Sequence, residues 1–322
     1  MKEIVDKTIF VIRSVNERTE SVCEKLIREQ LNQFNSTAEI IMIREVPFSK
    51  TLKKSFELGI ESGCKWMFSV DADILMRPCS IQNMLEQAEK AAQNVCQIQS
   101  YMLDKFFGGV RSGGVHIYRC SMLSRAIHFI PEEGRDIRPE TFTLNQMKKS
   151  GYPSLIAPYV VGTHDDEQYN FDIYRKMFVQ GFKHLDRAEL LVKHWKVNKT
   201  QDPDFQVALR AFSDGIASDE EAFINKDLPL FRKKFRKAGF DEKSDLTDHT
   251  ISLKDIEQKI INWDYSDLYR YYFPDMDGYE SSSKSSMNKI KRSIQKRGFV
   301  KTGILAVSNL LLKSGRKLRS GL

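Results

Sequence analysis

The chain of 322 residues has only five cysteines, Cys23, Cys64, Cys79, Cys96 and Cys120, an odd set with no C-x-x-C pair. Such sparse, unpaired cysteine excludes a disulfide scaffold and points to a reducing cytoplasm. The amino terminus, MKEIVDKTIF, lacks a signal-peptide pattern, so the sequons at Asn35 and Asn198 read as incidental. Long hydrophobic runs are also missing: the longest mostly apolar stretch, residues 299–312, contains Lys301 and is too short to span a bilayer. Residues 281–322 contain no Asp or Glu but hold 11 of the 50 Lys and Arg. The remaining 280 residues therefore carry 39 basic against all 43 acidic residues, a net of −4, and the overall +7 belongs entirely to the tail.

Against that background, the most informative stretch is residues 64–78, CKWMFSVDADILMRP. Trp66, Met67, Phe68 and Val70 form a short apolar run suited to a strand covered on both faces. Asp71 and Asp73 arrive where that strand should end. Side chains two apart along extended chain point the same way, so the pair predicts a hard-oxygen site for Mg²⁺ or Mn²⁺. A solvated loop, or an Asp cap on the helix opening near Ser80, is the competing account.

Residues 8–12, TIFVI, predict a first strand, followed by a helix with Val22, Leu26, Ile27 and Leu31 on one face. Arg13, Asn16, Glu17 and Arg18 fall at the turn between them, which reads either as an ordinary polar loop or as a ligand site of the kind open α/β sheets place there. A second strand at 39–43 leads to a helix bearing Leu52, Phe56, Gly59 and Ile60, which stops at Gly63. The alternation predicts an α/β fold with βαβ units around a mostly parallel sheet. A helix at 81–92 and a strand at 95–102 follow. The glycine pairs of 106–119, FFGGVRSGGVHIYR, read as turns before an alternating strand or as points of close ligand approach.

A strand ending at Gly162 runs into Thr163, His164, Asp165, Asp166, Glu167 and Gln168, and then into a helix. Capping accounts for some of these acids, since the first helical turn favours negative charge. Three acids and a histidine exceed what a cap needs, and one carboxylate is a candidate general base for an acceptor hydroxyl. Residues 190–195, LLVKHW, predict another strand, with His194 near its end.

The order of these features resembles the GT-A glycosyltransferases, particularly the inverting group called family 2. GIESGCKWMFSVDAD matches the helix-end, strand and D-x-D pattern of that group. HDDEQ, Arg175, Gly181 with Lys183, and His194 stand in the order of its later motifs. The resemblance covers roughly residues 8–195 and implies a GT-A fold, Rossmann-like, with a mostly parallel sheet flanked by helices and a C-terminal helical extension. It implies a catalytic domain over 1–200; beyond it, the residue pattern predicts a helical subdomain over 201–280 and the charge a basic amphipathic tail over 281–322. It also implies that Asp71 and Asp73 hold Mn²⁺ or Mg²⁺ and the donor diphosphate, that His194 completes the metal shell, and that Asp166 or Asp165 is the base. Arg13 and Glu17 would line the donor site. The acid usual after the second strand is missing, and Glu45 is the nearest candidate. The spacing from Asp166 to Arg175 is about one turn longer than usual, which leaves the base open among Asp165, Asp166 and Glu167.

The expected activity is transfer of a sugar from a nucleoside-diphosphate sugar to a glycan or lipid-linked acceptor, in bacterial surface polysaccharide synthesis. A non-catalytic nucleotide-sugar or glycan-binding module and a nucleotidyltransferase are the alternatives. Helices are expected at 205–212 and 228–238, and the aromatic-rich 264–273, DYSDLYRYYF, would pin a subdomain to the core or stack on sugars. In the tail, residues 284–319 interleave Lys and Arg with Met287, Ile290, Ile294, Ile304, Leu305, Leu311 and Leu312, a composition suited to an anionic membrane surface. The expected location is cytoplasmic, peripherally associated with the inner face of the membrane. The tail has a single aromatic, Phe299, and no nucleic-acid reader motif, so no nucleic-acid partner is expected.

Overall fold

The computed structural model describes residues 1–136, 138–183, 187–218, 228–247 and 250–262. The segment 264–273 and the tail 281–322 lie outside the described residues.

In chain order the elements are α1 (Lys2–Asp6), β1 (Thr8–Arg13), α2 (Glu20–Asn32), β2 (Ile40–Ile43), α3 (Phe48–Glu61), β3 (Trp66–Asp71), β4 (Ile74–Met76) and α4 (Ser80–Lys90). These are followed by β5 (Gln97–Asp104), β6 (Gly109–Arg119), α5 (Leu123–Ala126), α6 (Pro139–Lys149) and β7 (Ser154–His164). Four further helices follow: α7 (Asn170–Lys183), α8 (Ala188–Asn198), α9 (Asp204–Ile216), α10 (Pro229–Ala238) and α11 (Leu253–Asn262).

The strands form one sheet in the order β2-β1-β3-β6-β5-β7-β4. β1 pairs in parallel with β2 and β3, and β5 with β7, while β6 and β4 join antiparallel to their neighbours. Five of the seven strands thus run the same way, giving the mostly parallel, helix-flanked sheet expected of the alternating pattern. Helices cover both faces. Phe10 and Ile12 of β1 and Phe68 and Val70 of β3 pack with Val22 and Leu26 of α2 and Met84 and Leu85 of α4. Ile9, Val11 and Met67, one residue out of phase, point the other way, onto Leu52 and Phe56 of α3 and Met147 of α6. This two-sided burial is why the central strands read as continuous apolar runs. Fully burying a side chain of this size contributes about 1.5–3 kcal/mol.

A third cluster joins α7, α8, α9 and α10 through Tyr174, Phe178, Trp195, Phe212 and Phe231. α7 and α9 come close because Gly215 lacks a side chain: a Cβ there would lie 2.2 Å from the carbonyl oxygen of Phe178.

Three local expectations change. Residues 190–195 are helical, part of α8, because Leu191 and Trp195 sit four apart and both bury on one face. A six-residue apolar run suits either element, and the neighbouring helices decide it. The second glycine pair lies inside β6 rather than at a turn. Gly113 and Gly114 have positive φ, and the β5–β6 register shifts between Gln99 and Tyr101, so the pair makes an irregularity in a continuous strand. Finally, α7 begins at Asn170, so residues 165–168 form a loop and not a first helical turn.

Candidate functional site

The parallel strands β1, β3, β5 and β7 end on one edge of the sheet, and their last residues are Arg13, Asp71, Asp104 and His164. Strand carboxyl ends are where an open α/β sheet offers polar groups to a ligand. Backbone contacts draw the segment from Asp71 to Asp73 into the middle of that edge. The amide of Ala72 donates to the carbonyl of Arg13 at 2.9 Å, and the amide of Asp165 donates to the carbonyl of Asp73 at 3.1 Å. Thr19 Oγ1 donates to the carbonyl of Ala72 at 2.8 Å.

This segment is a turn between β3 and β4, so the rule that alternate side chains share a face does not govern it. Asp71 and Asp73 instead join different networks. Asp71 accepts from Arg13 Nε at 2.8 Å, and Arg13 Nη1 donates to Glu140 at 2.6 Å near the start of α6. Glu140 also accepts from the Tyr118 hydroxyl and faces His116 Nε2 at 3.1 Å. Burial opposes charge on Glu140, but Arg13 and then His116 outweigh it and hold the carboxyl well below the usual range. Asp71 shifts the other way: burial, reinforced by Asp73 and Glu140, outweighs Arg13 and raises it.

Asp73 lies 6% exposed and belongs to the second network. Its Oδ2 sits 2.5 Å from Lys176 Nζ and 3.5 Å from His164 Nε2. Asp165, in left-handed backbone at φ 59°, places Oδ1 2.5 Å from the same Lys176 Nζ and Oδ2 3.2 Å from His164 Nδ1. His164 Nδ1 also lies 2.8 Å from Asp104 Oδ2. Asp104 in turn accepts from the amides of Phe106 and Phe107, at 3.0 and 2.9 Å, and from Arg111.

Desolvation would make the Asp73 carboxylate a weaker acid, but Lys176 and His164 hold it well below its ordinary value. Burial likewise works against the charged form of His164, yet Asp165 and Asp73 dominate and push it up to about 10. The surrounding carboxylates therefore favour the protonated form of His164. Three carboxylates, Asp73, Asp104 and Asp165, then face three cations, Arg111, His164 and Lys176.

Ligand atoms from Asp73, His164 and Asp165 all lie within 4.8 Å of one another. The donor chemistry fits a divalent ion: two hard carboxylates and one imidazole suit Mn²⁺ or Mg²⁺, with nitrogen favouring Mn²⁺. Two further observations agree with that fit. Asp73 Oδ1 is buried without a hydrogen-bond partner. Asp104 on His164 Nδ1 is the outer carboxylate that commonly orients a metal-binding imidazole.

The remaining candidates are dispersed around this centre. Asp166 pairs with Lys259 of α11, and Glu167 with Arg18 at 2.6 Å. Glu17 closes its own loop, accepting from Ser14 Oγ at 2.7 Å and the amide of Val15 at 2.6 Å; burial, then the neighbouring Asp73, raises its carboxyl. Glu45 has an exposed side chain in the loop after β2, and its carbonyl accepts from Thr51 Oγ1 at 2.6 Å. His194 is not part of the cluster. It sits on α8 with Nε2 3.0 Å from the carbonyl of Lys105 and Nδ1 3.2 Å from Asn198 Nδ2. Its ring packs so closely on Gly108 that a Cβ there would lie 2.7 Å from it. His194 thus buttresses the turn between β5 and β6, and His164 is the imidazole beside Asp73. Of the residues that complete the two networks, His164 had a visible signal in its place at the end of an apolar strand. Asp104, Arg111, Glu140 and Lys176 had none beyond ordinary polar character.

No family model matches the chain. Nor does any curated protein. Among solved structures, the chain is similar to a mannosyltransferase from Pyrobaculum calidifontis in complex with GDP-Man and Mn²⁺, with 12% identity, 84% of each chain covered and a TM-score of 0.39. It is also similar to a glycosyltransferase involved in the glycosylation of the major capsid of PBCV-1, with 8% identity, 47% of this chain and 81% of that one covered, and a TM-score of 0.33. A third is a cytidylyltransferase from Leptospira borgpetersenii, with 10% identity, 62% and 97% covered, and a TM-score of 0.34. Likenesses at this level assign no function; the site's own residues carry the reading that follows.

Proposed function

We propose that the chain is a metal-dependent, inverting glycosyltransferase that moves a sugar from a nucleoside-diphosphate sugar to a hydroxyl of a glycan or lipid-linked acceptor. The observation that carries this reading is the convergence of Asp73, His164 and Asp165 at the carboxyl edge of the sheet, with a buried carboxylate oxygen left unpartnered. These three residues would hold Mn²⁺ or Mg²⁺, which supplies positive charge for a departing diphosphate. Arg13, fixed by Asp71 and Glu140, lines the neighbouring end of β1 and would face the nucleotide.

In the reaction the acceptor oxygen bonds to the anomeric carbon as the carbon–oxygen bond to the diphosphate breaks. The electron pair leaves with the diphosphate, and the acceptor proton passes to a carboxylate on the opposite face. With Asp165 engaged in the ion cradle, Asp166 is the base. Its side chain is 16% exposed beside Lys259 at the loop surface, where an acceptor can reach it.

Asn substitutions separate the two roles. Asp165→Asn is expected to weaken Mn²⁺ binding at least about tenfold, whereas Asp166→Asn leaves Mn²⁺ and nucleotide binding intact and lowers turnover by about 10²–10⁴. Mn²⁺ titration followed by calorimetry, with turnover measured for the donor that a nucleotide-sugar thermal-shift panel selects, checks both. Undiminished turnover in Asp166→Asn would move the base elsewhere.

No described helix is long and apolar enough to cross a membrane. The membrane-facing part of this proposal rests on residues 284–319, whose Lys and Arg would meet anionic lipid. Full-length protein is expected to pellet with phosphatidylserine-containing liposomes and a chain ending at Glu280 to stay in solution. Equal pelleting of the two would remove the anchor.

A further inference from the structure

Lys176 is the member of the cluster that an ion cradle does not require. Its ammonium lies 2.5 Å from Asp73 Oδ2 and 2.5 Å from Asp165 Oδ1, in the gap these carboxylates would offer a divalent ion. Arg111 is anchored differently, through Nε on Asp104 and with its guanidinium 5.3 Å from the ring centroid of Phe107. A lysine is a compact charge on a flexible four-carbon stem, and the side chain of this one is 15% exposed. A divalent ion and an ammonium cannot occupy the same gap without strong repulsion, because burial leaves little water to screen them. If the ion enters, Lys176 leaves with its charge.

We propose that Lys176 is the resident counter-cation of the Asp73–Asp165 pair, that a divalent ion displaces it, and that the freed ammonium then meets the diphosphate of the nucleotide donor. The inference rests on the ion cradle put forward above. It couples the two ligands: without the ion, Lys176 is held by two carboxylates and unavailable to phosphate, and with the ion in place it becomes a phosphate-binding group. Removing Lys176 therefore helps the ion and hurts the nucleotide, a pair of opposite effects that a merely structural lysine would not produce.

The test uses full-length protein and MnCl₂ alone, with free Mn²⁺ read by electron paramagnetic resonance. Lys176→Met is expected to bind Mn²⁺ at least about tenfold more tightly than wild type, since a competing charge has been deleted. In saturating Mn²⁺, the same variant should bind whichever of UDP, GDP, CDP or ADP binds wild type at least about fivefold more weakly, having lost a charged phosphate contact. Equal or weaker Mn²⁺ binding by a folded Lys176→Met overturns the proposal and leaves the cradle standing. Absence of Mn²⁺ binding in both proteins removes the cradle as well.

Should the variant not fold, amine labelling of wild type with mass-spectrometric readout decides the matter. Mn²⁺ is expected to raise the labelling rate of Lys176 at least about threefold as its ion pairs open, and added nucleoside diphosphate to lower it again. A Lys176 labelling rate unchanged by Mn²⁺ overturns the proposal.

Discussion

Asp73→Asn is expected to lower Mn²⁺ affinity by at least about 100-fold, because the loss of even an outer partner of a metal ligand typically costs 10–100-fold. Metal-dependent turnover should fall with it. Asn keeps the shape of Asp73 and its carbonyl can still accept from Lys176, so the turn between β3 and β4 should hold. The backbone contacts that seat this turn, from Ala72 to Arg13 and from Asp165 to Asp73, do not involve the side chain. Circular dichroism should therefore stay native-like while calorimetry shows Mn²⁺ binding gone; the unfolding midpoint falls, because Lys176 and His164 lose a buried counter-charge. Wild-type Mn²⁺ affinity in Asp73→Asn would remove the ion cradle from this site.

The second large effect concerns Arg13. Its side chain is 2% exposed and binds two carboxylates, Asp71 at 2.8 Å and Glu140 at 2.6 Å. Arg13→Met removes the cation and leaves the carboxylates buried together, which typically costs about 3–5 kcal/mol. The loss has a defined pH signature. Glu140 is held below its unfolded value, so it contributes stability above an unfolded pKa of about 4.3, and this contribution drains as pH falls through the lower folded value. Without Arg13 the folded value rises toward the unfolded one, and less stability remains to lose on acidification. The gap between wild type and Arg13→Met in urea unfolding should be nearly constant from pH 7 to about pH 5 and narrow only below about pH 4, as Glu140 titrates toward its lower folded value. Equal stability at pH 7 would show that the Arg13 pairs contribute nothing net. Tyr118 and His116 still contact Glu140 in the variant, so the fold at the start of α6 is expected to persist.

The two variants act on networks that meet at three consecutive residues, 71 to 73. Arg13→Met disturbs Asp71 and the end of β1; Asp73→Asn disturbs the cluster of Lys176, His164 and Asp165. A nucleotide lying across the strand ends would touch both networks, so both variants should weaken nucleotide binding, but only Asp73→Asn should abolish Mn²⁺ binding.

Sequence by itself determined the framework. The apolar runs of β1 and β3 and the helical stripes of α2, α3 and α4 are local patterns, and burial on two faces or one face of an element leaves a periodicity that the chain carries openly. The position of D-A-D at a strand end, and of His164 and Asp165 at another, was legible for the same reason. What only the tertiary structure decided is how those ends meet. His194 and His164 are equally plausible as residue types, but α8 turns the first toward Lys105 while β7 delivers the second to Asp73. Residues 190–195 carry a run short enough for strand or helix, and the burial of Trp195, whose Nε1 donates to the carbonyl of Phe106 at 2.7 Å, settles it. Lys176 lies 103 positions from Asp73 and Glu140 lies 127 from Arg13, and no local pattern marks either pairing. Long-range charge pairs leave no periodicity, because they depend on where separate elements stop in space, and folding alone sets that.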